Sequence, residues 1–231
     1  MANVQSYLIK FHEAIKLKRF EENQVLREKR DRILDRLKTG LKTLFEERGL
    51  TPPEIIIFDQ GSYAIGTGNK PTDGDYDIDV GICFKISIFD YPDPVEIKEW
   101  VYLALVGHTQ RVEIRRSCVT VFYQQDGEAI YHVDLAIYSH EDSNSDGKVY
   151  LAKGKLNSQS EHRIWEEADP HGFINLIRNL FEDSDDARQF RRIIRYLKRW
   201  KDKQFSSEGN AAPIGIGITV AACYWFTPVK T

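Results

Sequence analysis

The segment YDIDVGICF (76–84) sets two aspartates two positions apart on an otherwise apolar run, and the fold is read outward from it. Along a strand, successive side chains alternate faces, so Asp77 and Asp79 project together while Ile78 and Val80 turn into a core. Two adjacent carboxylates repel each other and lose hydration unless a positive charge lies between them. A divalent cation supplies that charge, and all-oxygen ligation suits Mg2+. For the pair taken alone, an acidic strand face turned to solvent is the plainer alternative.

Asp134 shifts the balance. In IYHVDLAIYS (130–139), Tyr131, Val133, Leu135 and Ile137 share one face, and Ile130, His132, Asp134, Ala136 and Tyr138 the other. A carboxylate within so apolar a strand needs a partner. Following an Asp-x-Asp strand in one sheet, it reads as the third member of a metal site. His132 shares the face of Asp134 and reads as a core or rim histidine. Asp75 also forms an Asp-x-Asp with Asp77, but the alternation of Ile78 and Val80 favours Asp77/Asp79 and leaves Asp75 in the loop beside the site.

Upstream, EIIIF (54–58) is a short β-branched strand running into Asp59-Gln60-Gly61-Ser62. Glycine there lets the backbone approach a phosphate, and Ser62 offers both an amide and a hydroxyl. GTGNKPTDGD (66–75) reads as a loop. Residues 5–48 read as helix, with Leu8, Phe11, Ala14 and Ile15, then Ile33, Leu34, Leu37, Leu41, Leu44 and Phe45, at roughly helical spacing, stopped by Gly49 and Pro52-Pro53. Downstream come a helix at about 94–107, strands at 111–116, 118–124 and 130–139, and a polar loop at 141–148. From about 161 the pattern is mostly helical, strongest over 185–204. This is an α+β chain: N-terminal helices (1–50), a mixed-sheet lobe (51–160) and a C-terminal helical lobe (161–231).

In RQFRRIIRYLKRWKDK (188–203), Ile193, Ile194, Leu197 and Trp200 form the expected core stripe. Arg191, Arg195 and Lys198 form a second stripe, at steps of four and three, suited to a triphosphate. A solvated basic face is the alternative. Composition narrows the classes further. At 42% hydrophobic and 29% charged, the 231 residues are those of a soluble globular protein. The formal net charge of −3 argues against a generally basic nucleic-acid binder, so a polyanion surface must be local. Cys83, Cys118 and Cys223 are odd in number and scattered, as buried thiols in a reducing compartment would be. The six histidines show no zinc spacing, and neither a phosphate-binding G-x-x-x-x-G-K-[ST] loop nor a G-x-S-x-G elbow is present. With no apolar run of membrane-spanning or signal-peptide length, a cytoplasmic location is expected.

FDQGSYAIGT (58–67), DYDIDVG (75–81) and HVDLAIY (132–138) together resemble the DNA polymerase β-like nucleotidyltransferase superfamily. Within it, the wording is most similar to the bacterial cGAS/DncV-like nucleotidyltransferases, which make cyclic oligonucleotide second messengers in anti-phage defence. The resemblance implies a polymerase β-like fold with Asp77, Asp79 and Asp134 as catalytic, metal-holding residues. It implies two Mg2+ ions, with Mn2+ able to substitute, and nucleoside triphosphates (ATP, GTP or both) as donor and acceptor. Gln60, Gly61, Ser62, Lys198 and Arg195 fall at nucleotide-binding positions, Lys198 within a Leu-Lys-x-Trp segment. APIGIGITVAACYW (212–225) resembles the helix supporting the nucleotide pocket. No membrane and no strong nucleic-acid template is implied, while a regulatory protein partner is compatible. Relatives continue through several more helices beyond the counterpart of 212–226, so a truncated or minimal version is expected. The other readings are transfer of a nucleotide to a protein, RNA end or small molecule, and a non-catalytic nucleotide-binding module; the intact aspartates speak against the last.

Overall fold

A computed structural model describes residues 4–17, 21–72, 76–125, 128–206 and 211–229. The chain is α+β and divides into two compact units. The sheet unit comprises Gln24–Gln60 and Gly74–Pro170, and the helical unit Met1–Asn23, Gly61–Asp73 and His171–Thr231.

Seven strands make the sheet: β1 (Ile55–Asp59), β2 (Tyr76–Phe84), β3 (Arg111–Ile114), β4 (Val119–Gln125), β5 (Glu128–Ser139), β6 (Val149–Lys153) and β7 (Ile164–Ala168). Their order is β1-β2-β5-β4-β3, with β6 on β5 and β7 on β6; β2 and β5 run parallel and the other pairs antiparallel. On β2 the alternation read from the sequence holds. Ile78, Val80, Ile82 and Phe84 are buried, and this face meets helices α2 (Glu21–Glu46) and α4 (Pro94–Leu105). Phe84 and Phe45 both pack edge-on against Trp100 of α4, with centroids at 6.1 and 5.0 Å. Helix α4 begins cleanly because the Asp93 side chain accepts from the Val95 amide and Pro94 occupies the first turn.

Lys98 of α4 is fully buried. Its ammonium donates to three backbone carbonyls, Arg115 O at 2.5 Å, Arg116 O at 2.9 Å and Gly154 O at 2.8 Å. It thereby ties α4 to the β3–β4 turn and to the end of β6. Burial pulls its pKa down to about 8.

On the opposite face, Gly81 lies in register with Phe58 of β1, and a Cβ at Gly81 would stand 2.2 Å from the Phe58 ring. The bare backbone lets that ring lie across the strand, where it packs against Tyr138 with centroids 5.7 Å apart. Gly81→Ala is expected to cost about 1–3 kcal/mol through overpacking. Chemical denaturation should show this as a lower midpoint with unchanged slope. An unaltered midpoint would mean that Phe58 repacks freely.

The helical unit holds α1 (Gln5–Ile15), the one-turn α3 (Gly61–Ala64), α5 (Pro170–Asn179), α6 (Ser184–Gln204) and α7 (Gly215–Trp225). Ile65, Ile174, Ile177, Phe190, Ile194 and Ala222 form its core. Asp183 caps α6 by accepting from the amides of Asp185 and Asp186.

Three expectations need correction. The helix expected over 5–48 is broken: α1 ends at Ile15, where Lys16 turns extended. There the backbone pairs with the loop, Lys70 N donating to Ile15 O and Leu17 N to Gly68 O. Next, the mostly helical pattern expected from 161 begins only after β7, and β6 was not read at all. Both are short, and β7 carries Glu166 and Glu167, which lie opposite Leu151 and Tyr150 and form ion pairs with Lys153 and Lys148. The pairing, not the local composition, makes them strands. Finally, on α6 the core residues are Phe190 and Ile194, whereas Leu197 and Trp200 are 40% and 54% exposed and Arg199 is buried instead. The Arg199 guanidinium donates to Lys70 O, which fixes the side of the helix that faces inward.

Candidate active site

The sheet register assembles two rows of side chains on one face. The first runs Asp77 (β2), His132 (β5), Phe122 (β4), Arg111 (β3); the second runs Asp79, Asp134, Thr120, Glu113 over the same strands. Parallel pairing of β2 with β5 places Asp79 opposite Asp134. Two strands distant in sequence thus bring the three aspartates to one end of one face.

Asp77, His132 and Asp134 each offer a ligand atom, and the three atoms lie within 4.8 Å of one another. His132 Nε2 stands 3.3 Å from Asp77 Oδ1. The Thr120 hydroxyl donates to Asp134 Oδ1 at 2.5 Å and fixes the carboxylate's rotation. Asp79 shares the face but is not one of the three. It lies toward Tyr138, whose hydroxyl is pushed up in pKa by burial and by the nearby Asp79 charge. Tyr138 in turn donates to Gln60 Oε1 at 2.9 Å, and the Gln60 amide donates to Asp79 O at 3.2 Å. Asp75 lies outside the described residues.

The donor set fits a divalent cation. Two carboxylates and an imidazole within so small a ring span what metal–ligand bonds of about 2.0–2.2 Å bridge. Thiol chemistry is absent from this face: burial and Glu141 push Cys83 up to about 12, and burial and Asp134 push Cys118 up to about 11, so both stay protonated near neutrality.

In the helical unit, residues 61–70 wrap onto α6. Gly61 and Gly66 take positive φ (63° and 70°), which places Ser62 at the start of the turn with its carbonyl accepting from Thr67 N at 2.8 Å. Lys198 Nζ donates to Thr67 Oγ1 at 3.3 Å. Arg195 donates to Gly66 O at 2.5 Å and Gly68 O at 3.3 Å, while Asn69 donates back to Arg195 O at 2.9 Å. Arg195 therefore holds the Gly-Ser loop in shape through its guanidinium, a use that helical spacing alone does not reveal. Lys198 reaches the same loop through the Thr67 hydroxyl.

Comparison with known proteins bears on the segment that carries the aspartates. Residues 56–138 match the model described as cyclic GMP-AMP synthase DncV-like, nucleotidyltransferase domain. The match takes in β2 and the site-bearing part of β5 and covers 83 of the 231 residues. Among curated relatives, the cyclic GMP-AMP synthase of Escherichia albertii is 25% identical over 204 residues, covering 84% of this chain and 41% of that protein. The c-di-GMP synthase of Roseivirga ehrenbergii is 24% identical over 201 residues, covering 75% of this chain and 49% of that protein. The chain thus spans less than half the length of the curated relatives it matches. Among solved structures, the GTP-bound form of Vibrio cholerae DncV superposes with a TM-score of 0.67 at 18% identity, over 93% of this chain and 68% of that one. The fold is therefore the polymerase β-like nucleotidyltransferase fold that the sequence led us to expect.

The segment matching the family model contains Asp77, Asp79, Asp134, Gln60, Gly61 and Ser62, and leaves Lys198 and Arg195 outside it. Sequence reasoning passed over Thr120; His132, read as a core or rim histidine, is largely buried beside Asp77. Thr120 carried no sequence signal, since its part comes from the register of β4. His132 did carry one: it sits two residues before Asp134, on the same face.

Proposed function

We propose that the chain is a template-independent nucleotidyltransferase that joins nucleoside triphosphates, ATP, GTP or both, into a cyclic di- or oligonucleotide. The observation that carries this reading is the pairing of β2 with β5, which puts Asp77, Asp79 and Asp134 on one face within the segment matching the DncV-like domain. The curated relatives are named as synthases of cyclic dinucleotides, and solved DncV structures are described in complex with ATP and GTP and with a linear intermediate, pppA(3′,5′)pG. Those names support the substrate class proposed for this chain.

Asp77, Asp79 and Asp134 would hold two Mg2+ ions, or Mn2+ in their place. Bound there, divalent ions neutralise the triphosphate and favour ionisation of the acceptor hydroxyl. The residues of the chain do the remainder. Thr120 fixes Asp134, and Tyr138 fixes Gln60. Gln60, Gly61, Ser62, Lys198 and Arg195 are assigned to the triphosphate, Arg195 by shaping the Gly66–Gly68 loop and Lys198 by direct charge. Catalysis of this kind is positioning plus electrostatics, because phosphoryl chemistry needs no protein nucleophile. The family resemblance extends the proposal to a second-messenger role in anti-phage defence, in the cytoplasm and answering to a regulatory protein. No helix among the described residues is long and apolar enough to cross a membrane.

Lys198→Ala tests the donor side. A charge-assisted contact to phosphate is worth roughly 1.5–3 kcal/mol, against near nothing for an exposed lysine. Nucleoside triphosphate binding with Mg2+ should weaken about tenfold or more, at about 1.4 kcal/mol per decade. Lys201→Ala and Lys203→Ala should change it far less, Lys201 being already 3.0 Å from Asp202. Calorimetry on the three variants decides it; equal, small effects would reduce α6 to a solvated basic face.

A further inference from the structure

We propose that helix α1 is a clasp on the triphosphate loop, and that Tyr196 and His12, where α6 grips α1, are positioning residues for nucleotide binding. This rests on the assignment of Gly61, Ser62 and Lys198 to the triphosphate and deepens it. Three observations carry it. First, α1 fills little of the core: Ile15 is its one buried residue, while Tyr7, Leu8, Ile9 and Phe11 are exposed. Second, the chain leaving α1 is stitched to the loop. Lys16 turns extended and bridges antiparallel to Asn69, with Lys70 N donating to Ile15 O at 2.8 Å and Leu17 N to Gly68 O at 3.3 Å. A Cβ on Gly68 would stand 3.5 Å from Leu17 Cδ2 and 3.8 Å from Ser62 Oγ, so Leu17 and Ser62 close on the same glycine. Third, α6 holds α1 through Tyr196. Its hydroxyl donates to Leu8 O at 3.0 Å, and its ring packs against Phe11 at 5.4 Å and edge-on to His12 at 6.1 Å. The loop is thus held twice, by Arg195 of α6 and by backbone pairing with the chain leaving α1.

The clasp is set among cations, which gives it a pH dependence. His12 faces Arg192, Arg195 and Tyr196 of α6, and Lys16 and Glu13 of its own segment. Its Nδ1 is buried without a hydrogen-bond partner among the described residues, and Lys16 is paired with Glu13 at 2.6 Å. Burial, then the charges of Arg195, Lys16 and Arg192, hold the imidazole below its ordinary pKa against the pull of Glu13. Docking of α1 therefore favours the neutral ring. Released from that setting, the ring takes up a proton near its ordinary pKa of about 6.5. The docked arrangement binds fewer protons, so it is fully favoured above that pH and weakens progressively as the pH falls below it.

The test is calorimetry of the intact protein with nonhydrolysable ATP and GTP analogues and Mg2+. Loosening α1 lowers the fraction of loops in the binding-competent form, and apparent affinity falls with that fraction. Tyr196→Ala should bind about tenfold more weakly, and Tyr196→Phe, which keeps the ring contacts, about threefold or less. Both should keep the wild-type circular dichroism spectrum. From about pH 7.5 to about pH 5.5 the wild type should lose at least about twofold more affinity than His12→Gln, whose amide does not titrate. Wild-type affinity in Tyr196→Ala, with Lys198→Ala weakened, would overturn the clasp and leave the triphosphate assignment standing. Parallel pH profiles for the wild type and His12→Gln would overturn it likewise, and they decide alone if Tyr196→Ala loses the wild-type spectrum. Binding indifferent to Lys198→Ala would sink the triphosphate assignment itself, and this inference with it.

Discussion

Asp134→Asn is expected to reduce nucleotidyl transfer by about a thousandfold or more, roughly 4 kcal/mol of transition-state stabilisation at 1.36 kcal/mol per decade, while leaving the fold intact. The two halves of that expectation have separate physical grounds. The side-chain amide keeps an oxygen to accept from the Thr120 hydroxyl, so the 2.5 Å hydrogen bond that orients residue 134 survives. The formal charge does not survive, and a neutral amide cannot offset a dication's desolvation. Removing one of several clustered carboxylates also relieves repulsion, so the melting temperature should hold or rise. Asp77→Asn should behave alike. Near-wild-type turnover by either variant, with nucleoside triphosphate and Mg2+ in excess, would remove these residues from the chemistry.

The second large effect is on stability, far from that chemistry. Lys98→Met should destabilise the protein by about 3 kcal/mol or more. Methionine matches the length of the lysine stem and fills the same buried space, so no large cavity opens. The carbonyls of Arg115 and Gly154 lose their lysine donor, and that of Arg116 retains only the Gly154 amide. A buried acceptor left unmatched costs about 1–3 kcal/mol, more when the lost donor was charged. Urea denaturation followed by circular dichroism gives the difference directly. Below the variant's transition, transfer activity per folded molecule should match the wild type, because the Lys98 ammonium donates to the backbone carbonyls of Arg115, Arg116 and Gly154. A gain in stability would show instead that the cost of burying the ammonium exceeds the worth of its three hydrogen bonds, as happens at some buried charges.

Much of the site was legible because strand alternation is a strong, local signal. Asp77, Ile78, Asp79 and Val80 announced a two-faced strand, and the structure places them as the alternation requires. The pairing partner was not legible in that way: β2 meets β5 across some fifty residues of chain, and only the apolar surroundings of Asp134 hinted at it. The family resemblance supplied the rest. The failures share a cause. β6 and β7 have too little apolar periodicity to announce themselves, and exist because each backbone completes its neighbour's hydrogen bonds. Arg199 drew no assignment from the sequence, yet it is buried with its guanidinium donating to the Lys70 carbonyl. Leu197 and Trp200 then fall outward, although their hydrophobicity pointed inward. Spacing along one helix cannot reveal which loop carbonyl waits for a guanidinium.

The most direct test of the central claim is mass analysis of products after incubating the protein with the four nucleoside triphosphates and Mg2+, beside Asp77→Asn treated identically. Nucleotide-to-nucleotide phosphodiesters, linear or cyclic, formed with release of pyrophosphate by the wild type and absent from the variant, are the predicted result. Pyrophosphate release with the nucleotide found on protein, RNA or another small molecule, or products formed equally by Asp77→Asn, would contradict it.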